Sequence, residues 1–291
     1  MLYDEANVRP ARSGFSIIEL LMVIFIIAVL LTILLPSLQS GRESARRIGC
    51  INNMRQISLA LQNYAAQLDV LPPGVVNSKG PVVERHEDLQ IGWIVQILPY
   101  MEQNGVWQAF DSDLSIYAPE NMTTRHAHIS SLLCPVEKDR VPSKSFGLSS
   151  YAACHHDVEA PIDADDHGVF FLNSSIRPAQ IRDGSSYTIF VGEKLPDDAD
   201  QGWASGARAT LRNTGSPIQS PDSLHLRRVF PVPKAPKDEL TVGGFGSRHA
   251  GGANFAFGDG SVRFLRKEIK PSLFRLLGNR DDGEMLENDD F

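Results

Sequence analysis

The strongest constraint in this sequence is an apolar run near its start. Residues 15–35 are 21 positions whose only strongly polar member is Glu19. As a helix, such a run is long enough to cross a hydrocarbon core of ~30 Å, and no other stretch of the chain approaches it. The chain therefore reads as a one-span protein. An ordinary secretory signal has a shorter apolar region with a small-x-small cleavage site after it. Here Pro36-Ser-Leu-Gln-Ser-Gly follows the run and offers no such site. The small residue placed like a processing point is Gly14, before the run, so a cut there leaves the whole span on the mature protein. A carboxylate inside a bilayer helix is costly unless it is paired or near the edge. Glu19 therefore either reaches back to the interface or meets a positive charge. Cutting after Gly14 would create one, the amino group of Phe15.

The stretch Arg12-Ser-Gly-Phe-Ser-Ile-Ile-Glu-Leu-Leu-Met-Val-Ile resembles the type IV prepilin processing site. The resemblance implies that a prepilin peptidase cuts after Gly14 and methylates Phe15. It also implies that Glu19, five places into the mature chain, helps register subunits in a filament. Pro36, 22 places in, falls where pilins commonly bend the helix. The amino end would lie in the cytoplasm, the helix in the lipid of the bacterial inner membrane and the rest outside it. Charge counting alone leans the other way, with Arg9 and Arg12 before the span against Arg42, Arg46 and Arg47 after it. The orientation rests on the resemblance.

Beyond Pro36, apolar residues recur every three or four positions at Leu38, Ala45, Ile48, Ile51, Met54, Ile57, Leu61, Tyr64 and Leu68. That is the pattern of an amphipathic helix with one buried stripe. Continuous with the span, it would run roughly 80 Å at about 1.5 Å per residue. Leu71-Pro-Pro-Gly then ends it, because proline lacks the amide donor and restricts the residue before it. The expected domains are a leader over 1–14, a span over 15–35, the amphipathic continuation over 36–70, and a head over 75–291.

In the head, residues 92–103 read as a short helix interrupted near Pro99. Gly168-Val-Phe-Phe-Leu, Tyr187-Thr-Ile-Phe-Val, 253–257 and 261–265 read as strands. The last two flank Gly258-Asp259-Gly260, an Asp-Gly signal for a β-hairpin. Five prolines between 216 and 239 predict a long surface loop. The expected fold class is α+β: a long N-terminal helix followed by a mainly antiparallel β head.

Asn52-Asn-Met-Arg-Gln-Ile, Leu133-Cys-Pro, Val169-Phe-Phe, Ile181-Arg-Asp-Gly-Ser-Ser-Tyr-Thr-Ile and Ser247-Arg-His-Ala-Gly-Gly-Ala-Asn-Phe extend the resemblance over most of the chain. They look like a large bacterial group of prepilin-like proteins with an uncharacterised C-terminal domain. That group is marked by His, nine residues, then Asp-Gly, here His249, Asp259 and Gly260. The proline-rich loop and the acidic tail depart from it. Three cysteines allow one bridge and one spare thiol. The resemblance implies a disulfide between Cys50 and Cys134 with Cys154 free, and Cys134–Cys154 is the alternative.

Composition and motifs bound the chemistry. A formal net charge of -7 argues against a nucleic-acid partner. The tail over 279–291 carries six acidic residues against Arg280 and reads as a solvated terminus. His249 and Asp259 are read as structural, Asp259 shaping the turn and His249 bonding nearby backbone. Cys154-His-His and His126-Ala-His128 carry ligand-type residues, but no second cluster completes a zinc site of the usual spacing. Asp163, Asp165 and Asp166 offer oxygen ligands for calcium, without matching the calcium site of secretion pseudopilins. No G-x-S-x-G elbow or phosphate-cradling loop is present. The reading is a non-enzymatic, cofactor-free, pilin-like or pseudopilin-like subunit, of the minor kind, in a type II secretion or type IV pilus-like assembly with other such subunits. The alternative is a membrane-tethered binding protein that never polymerises.

Overall fold

The computed structural model describes residues 16–83, 88–137, 146–197, 200–223, 226, 229–231, 234 and 236–284, without the side chains of 34–40. The chain divides into two compact units, Met1–Ala45 and Arg46–Phe291. One helix, α1 (Ile17–Leu68), contributes to both. In the first unit every described side chain from 16 to 33 is exposed. Among the described residues no helix is long and apolar enough to cross a membrane.

In the second unit α1 buries Cys50, Met54, Ile57, Ala60, Leu61, Tyr64 and Ala65. Their spacing of three and four keeps them on one face. Of the expected stripe, Met54, Ile57, Leu61 and Tyr64 lie in this core, and Ile51 is half-buried. Ala45, Ile48 and Leu68 are exposed instead. At about 100° per residue Ile48 sits half a turn from Ile57, on the opposite side of the helix, and Leu68 is the last helical residue. The Leu38 side chain lies outside the described residues. The helix closes on Asp69, whose φ of 59° is left-handed and whose amide donates to Ala65 O at 2.9 Å. Pro72 and Pro73 follow and forbid another turn.

A short pair, β1 (Val75–Val76) and β2 (Ile91–Gly92), precedes α2 (Trp93–Ile97). At Pro99 the helix gives way to a 3₁₀ turn over Leu98–Met101. Two further short helices follow, α3 (Asn104–Gln108) and α4 (Met122–Arg125). The main sheet holds β3 (Tyr151–His156), β4 (Ile189–Glu193), β5 (Leu211–Asn213), β6 (Gly252–Phe257) and β7 (Val262–Arg266). Its order is β5-β3-β4-β6-β7, antiparallel except for the β3/β5 pair. The last helix is α5 (Pro271–Gly278).

Both faces of the sheet are covered. Tyr151 and Ala153 join the core that includes the buried face of α1. Ala152 and Cys154, which alternation turns the other way, join Phe255, Phe257 and the α5 residues Phe274 and Leu277. There the rings of Phe245, Phe255 and Phe274 meet edge to face, with centroids 5.2 to 6.5 Å apart. The aromatic run 168–172 is not a strand, contrary to expectation. It makes an isolated bridge from Leu172 to Val75, and Gly168 N and Phe170 N donate to His155 O and Cys154 O of β3. Gly168 is pressed so close to His155 that a Cβ would lie 2.5 Å from that carbonyl. The backbone bends there so that Phe170 can fill the core beside Trp93 and Phe190.

The hairpin forms with Ala256 opposite Val262 and Asn254 opposite Phe264. At its tip Asp259 Oδ1 accepts from Ser261 N at 2.8 Å, and Gly260 adopts a φ of 84°. Burial pushes the Asp259 carboxyl up, but hydrogen bonds from Ser261 and Ser186 outweigh this and hold it below its ordinary value. Asp259→Ala should cost about 1 kcal/mol for the lost turn bond. Gly260→Ala should cost about 1–2 kcal/mol for a Cβ in left-handed backbone. Urea unfolding of the detergent-solubilised protein checks both.

Candidate functional site

The sequence points to two places, the N-terminal processing region and the His249 motif. Gly14 and Phe15 lie outside the described residues. Glu19 sits in the first turn of α1, where its Oε2 accepts from Ser16 N at 2.9 Å. Ser16 Oγ in turn accepts from Ile18 N at 3.4 Å. Ser-x-x-Glu is a reciprocal helix cap, and it satisfies amide groups that the helix start leaves unpaired. The capping pattern is legible in Ser16-Ile-Ile-Glu19, although the sequence was read for Glu19 only as reaching the interface or serving assembly.

The His249 motif divides into two sites. Asp259 belongs to the hairpin tip, while His249 lies at the other end of β6, buried in the centre of the head. Its Nε2 is 3.7 Å from Cys134 Sγ and 3.4 Å from Glu193 Oε1. The side chain thus faces a sulfur and a carboxylate, where nearby backbone was expected. Cys134 is joined to Cys50 of α1 in a disulfide, with Cα atoms 5.0 Å apart, inside the ~7 Å limit for bridging. All four residues are buried: Cys50 at 0%, Cys134 at 4%, Glu193 and His249 at 2%.

Glu193 organises this centre, and the sequence reading missed it. It ends β4, where its backbone pairs with Tyr151 of β3. Its carboxylate accepts from Asn254 N at 2.8 Å and from Asn254 Nδ2 at 3.0 Å. Burial pushes the Glu193 carboxyl up, but the charge and hydrogen bond of His249 and the two bonds from Asn254 outweigh it, so the group is held low. Arg47 of α1 feels the same charge, with its guanidinium 3.7 Å over the Phe264 ring. Tyr151 Oη donates to Cys50 O at 3.3 Å. An acid closing an apolar strand was the available signal, since buried carboxylates need partners.

A second polar cluster surrounds the end of β3. His155 Nδ1 lies 2.7 Å from Asp166 Oδ2, deep inside. Asp157 Oδ1 lies 2.6 Å from His156 Nδ1 and 3.0 Å from His167 Nδ1. Burial pushes the Asp157 carboxyl up, but the hydrogen bonds and charges of His156 and His167 bring it down to about 2. Of the three aspartates considered for calcium, Asp166 is turned inward onto His155, Asp163 Oδ1 accepts from Ala164 N, and Asp165 is exposed. Cys154 is a buried free thiol, pushed up by burial. His126 and His128 join neither cluster.

Residues 39–272 match a family described as a protein of unknown function, DUF1559. The chain belongs to that family. Residues 9–35 match the prokaryotic N-terminal methylation motif. The two matches are consistent with a type IV pilin-like or pseudopilin-like protein, and the motif implies processing by a prepilin peptidase and assembly with other pilin-like subunits. Neither family description names an enzymatic activity. No curated protein and no solved structure matches the chain. In the DUF1559 head, the buried cysteine pair, His249 and Glu193 form one contiguous centre.

Replacing both Cys50 and Cys134 by serine should lower the stability of the head by about 4–5 kcal/mol, the loop-entropy value for a separation of 84 residues. Chemical denaturation without reductant measures this. The depressed Asp157 carboxyl contributes stability that is full above its ordinary value near 3.8 and is lost as pH falls toward 2. Melting temperatures between pH 5 and pH 2 should therefore fall less steeply in Asp157→Asn than in the unaltered protein.

Proposed function

We propose that the chain is a minor pilin-like or pseudopilin-like subunit, anchored in the bacterial inner membrane and drawn into a type II secretion or type IV pilus-like assembly. The observation that supports this best is the apolar first unit. Ile17, Met22, Phe25 and Ile33 are each more than 60% exposed, and every described side chain around them is exposed too. A helix that is apolar all round is stable in lipid or among other apolar helices, and not in water. Glu19 is the charge within that surface.

The cap between Ser16 and Glu19 suggests how the acid is managed before assembly. While the chain is alone, its carboxylate is occupied by the Ser16 amide. Cleavage after Gly14 would then place a new ammonium on Phe15, one residue before Ser16. That charge is a stronger partner than a neutral amide, and in a packed filament it can come from a neighbour. The head expected over residues 75–291 is large for a repeating major subunit, which favours a minor or tip position.

Mass spectrometry of the membrane-extracted protein should find a methylated Phe15 at the N-terminus, and Gly14→Trp should retain the leader. An intact Met1, or a start beyond Pro36, would defeat the processing step. Glu19→Ala should leave membrane insertion intact or improve it while reducing assembly at least several-fold. Cysteine cross-linking near residue 19 in cells should give ladders; monomers alone would favour a tethered, non-polymerising protein.

A further inference from the structure

The centre that joins Cys50, Cys134, Glu193 and His249 brings together four side chains of the three kinds that zinc takes: thiolate, carboxylate and imidazole. Their ligand atoms lie within 4.8 Å of one another, and all four residues are buried. They come from separate rigid parts of the head: α1, the segment after α4, the end of β4, and the approach to β6. Zinc takes sulfur at ~2.3 Å, imidazole nitrogen at ~2.05 Å and carboxylate oxygen at ~2.1 Å in a tetrahedron. Those lengths give a nitrogen–sulfur edge of about 3.6 Å and a nitrogen–oxygen edge of about 3.4 Å. The corresponding separations here are 3.7 Å, from His249 Nε2 to Cys134 Sγ, and 3.4 Å, from His249 Nε2 to Glu193 Oε1. Two edges of the tetrahedron already stand at coordination length around one imidazole nitrogen.

We propose that this centre is a redox-gated zinc site, holding a disulfide when oxidised and one Zn²⁺ when reduced. A dithiol or phosphine supplies two electrons to the disulfide. The sulfur–sulfur bond breaks and each sulfur takes a proton. The dithiol leaves as its own disulfide, or the phosphine as its oxide with oxygen from water. Zinc then displaces the two thiol protons to solvent, the sulfurs separate to about 3.8 Å, His249 gives the Nε2 lone pair, and Glu193 gives Oε1. Two thiolates and one carboxylate leave the occupied site at one net negative charge, beside the Arg47 guanidinium that already interacts with Glu193. Outer bonds from Asn254 to both Glu193 oxygens hold that ligand in orientation, and Ser247 Oγ fixes the backbone at His249 by accepting from its N at 3.1 Å. The consequence is that α1 stays tied to the head in either redox state, by a covalent bond in one and by a metal in the other. This inference is independent of whether the helix assembles.

The test uses the full chain in detergent, reduced with a phosphine in the presence of one equivalent of zinc chloride, then desalted. Metal content should be about one zinc per chain when reduced and near zero when oxidised. Cys50 and Cys134 should resist alkylation only with zinc present, and near-ultraviolet circular dichroism should stay native. Cobalt in place of zinc should give thiolate-to-metal charge-transfer absorption. Cys154→Ala should bind normally, whereas His249→Ala, which removes a ligand outright, should weaken binding by more than the roughly 10–100-fold typical of losing an outer hydrogen-bond partner. Glu193→Gln, which keeps the bonds to Asn254 in part, should also weaken binding. A reduced chain that stays folded without retaining zinc overturns the proposal, as does one that unfolds despite it. Zinc retained equally by the Cys50→Ser/Cys134→Ser double variant overturns it too, and would place the metal at His156, Asp157 and His167.

Discussion

The head is arranged around a charge that is almost wholly withdrawn from water, the Glu193 carboxylate. A carboxylate buried to the extent of Glu193 is tolerable only when its oxygens are hydrogen-bonded and its charge is answered, and removing one partner of such a group costs about 3–5 kcal/mol. Each partner of Glu193 fixes a different part of the fold. Asn254 donates through both its backbone and its side chain, which locks β6 beside β4. His249 brings in the loop that enters β6 and, through Cys134, the disulfide to α1. Sheet order, helix attachment and loop path therefore share one electrostatic requirement.

The remaining surfaces of the sheet leave little for lateral pairing. The buried face of α1 shares a core with one face of the sheet and α5 with the other. On the β7 edge, Arg263 lies over the Phe257 ring and Lys267 pairs with Asp222. On the β5 edge, Asn213 N donates to Gly243 O and Arg212 Nη1 to Val242 O, so the 242–244 segment covers it. Charged or covered edges discourage strand addition from another chain. That favours assembly through the apolar helix of the first unit over assembly through the head, consistent with the role proposed for it.

What the sequence made legible follows from where local chemistry decides the outcome. The helix stop at Pro72 and Pro73, the hairpin at Gly258-Asp259-Gly260 and the turn at Pro99 each depend on residues adjacent in the chain. β3 was illegible because Tyr-Ala-Ala-Cys-His-His has no alternation and little β-branching. All six residues are buried because both faces of the sheet are covered. The run 168–172 misled in the opposite sense. Its aromatic and branched residues have strand propensity, but tertiary packing uses them as core filler. β5 is three residues long and pairs parallel to β3 from a distance, so no local pattern marks it. Of the buried centre, the sequence offered His249 through the family motif and the cysteines through the same resemblance. Glu193 went unseen because its partners lie far from it in the sequence, with Asn254 alone 61 residues away.

The fixed interval between His249 and Asp259-Gly260 now has a physical reading. Nine residues separate the histidine from the aspartate, and they are the length of β6 with its entry and exit. His249 anchors one end at Glu193 and the disulfide, and Asp259 closes the other end at the hairpin tip. Between them Asn254 must face Glu193 while Phe255 and Phe257 alternate with it, Phe255 and Phe257 entering the core under α5. Because side chains in a strand alternate with period two, adding or removing one residue would turn this set over. Phe255 and Phe257 would then face the Glu193 side and Asn254 the apolar core. An interval of this kind measures a strand between two fixed points, so the pair marks the frame of the head and not two halves of one reactive site.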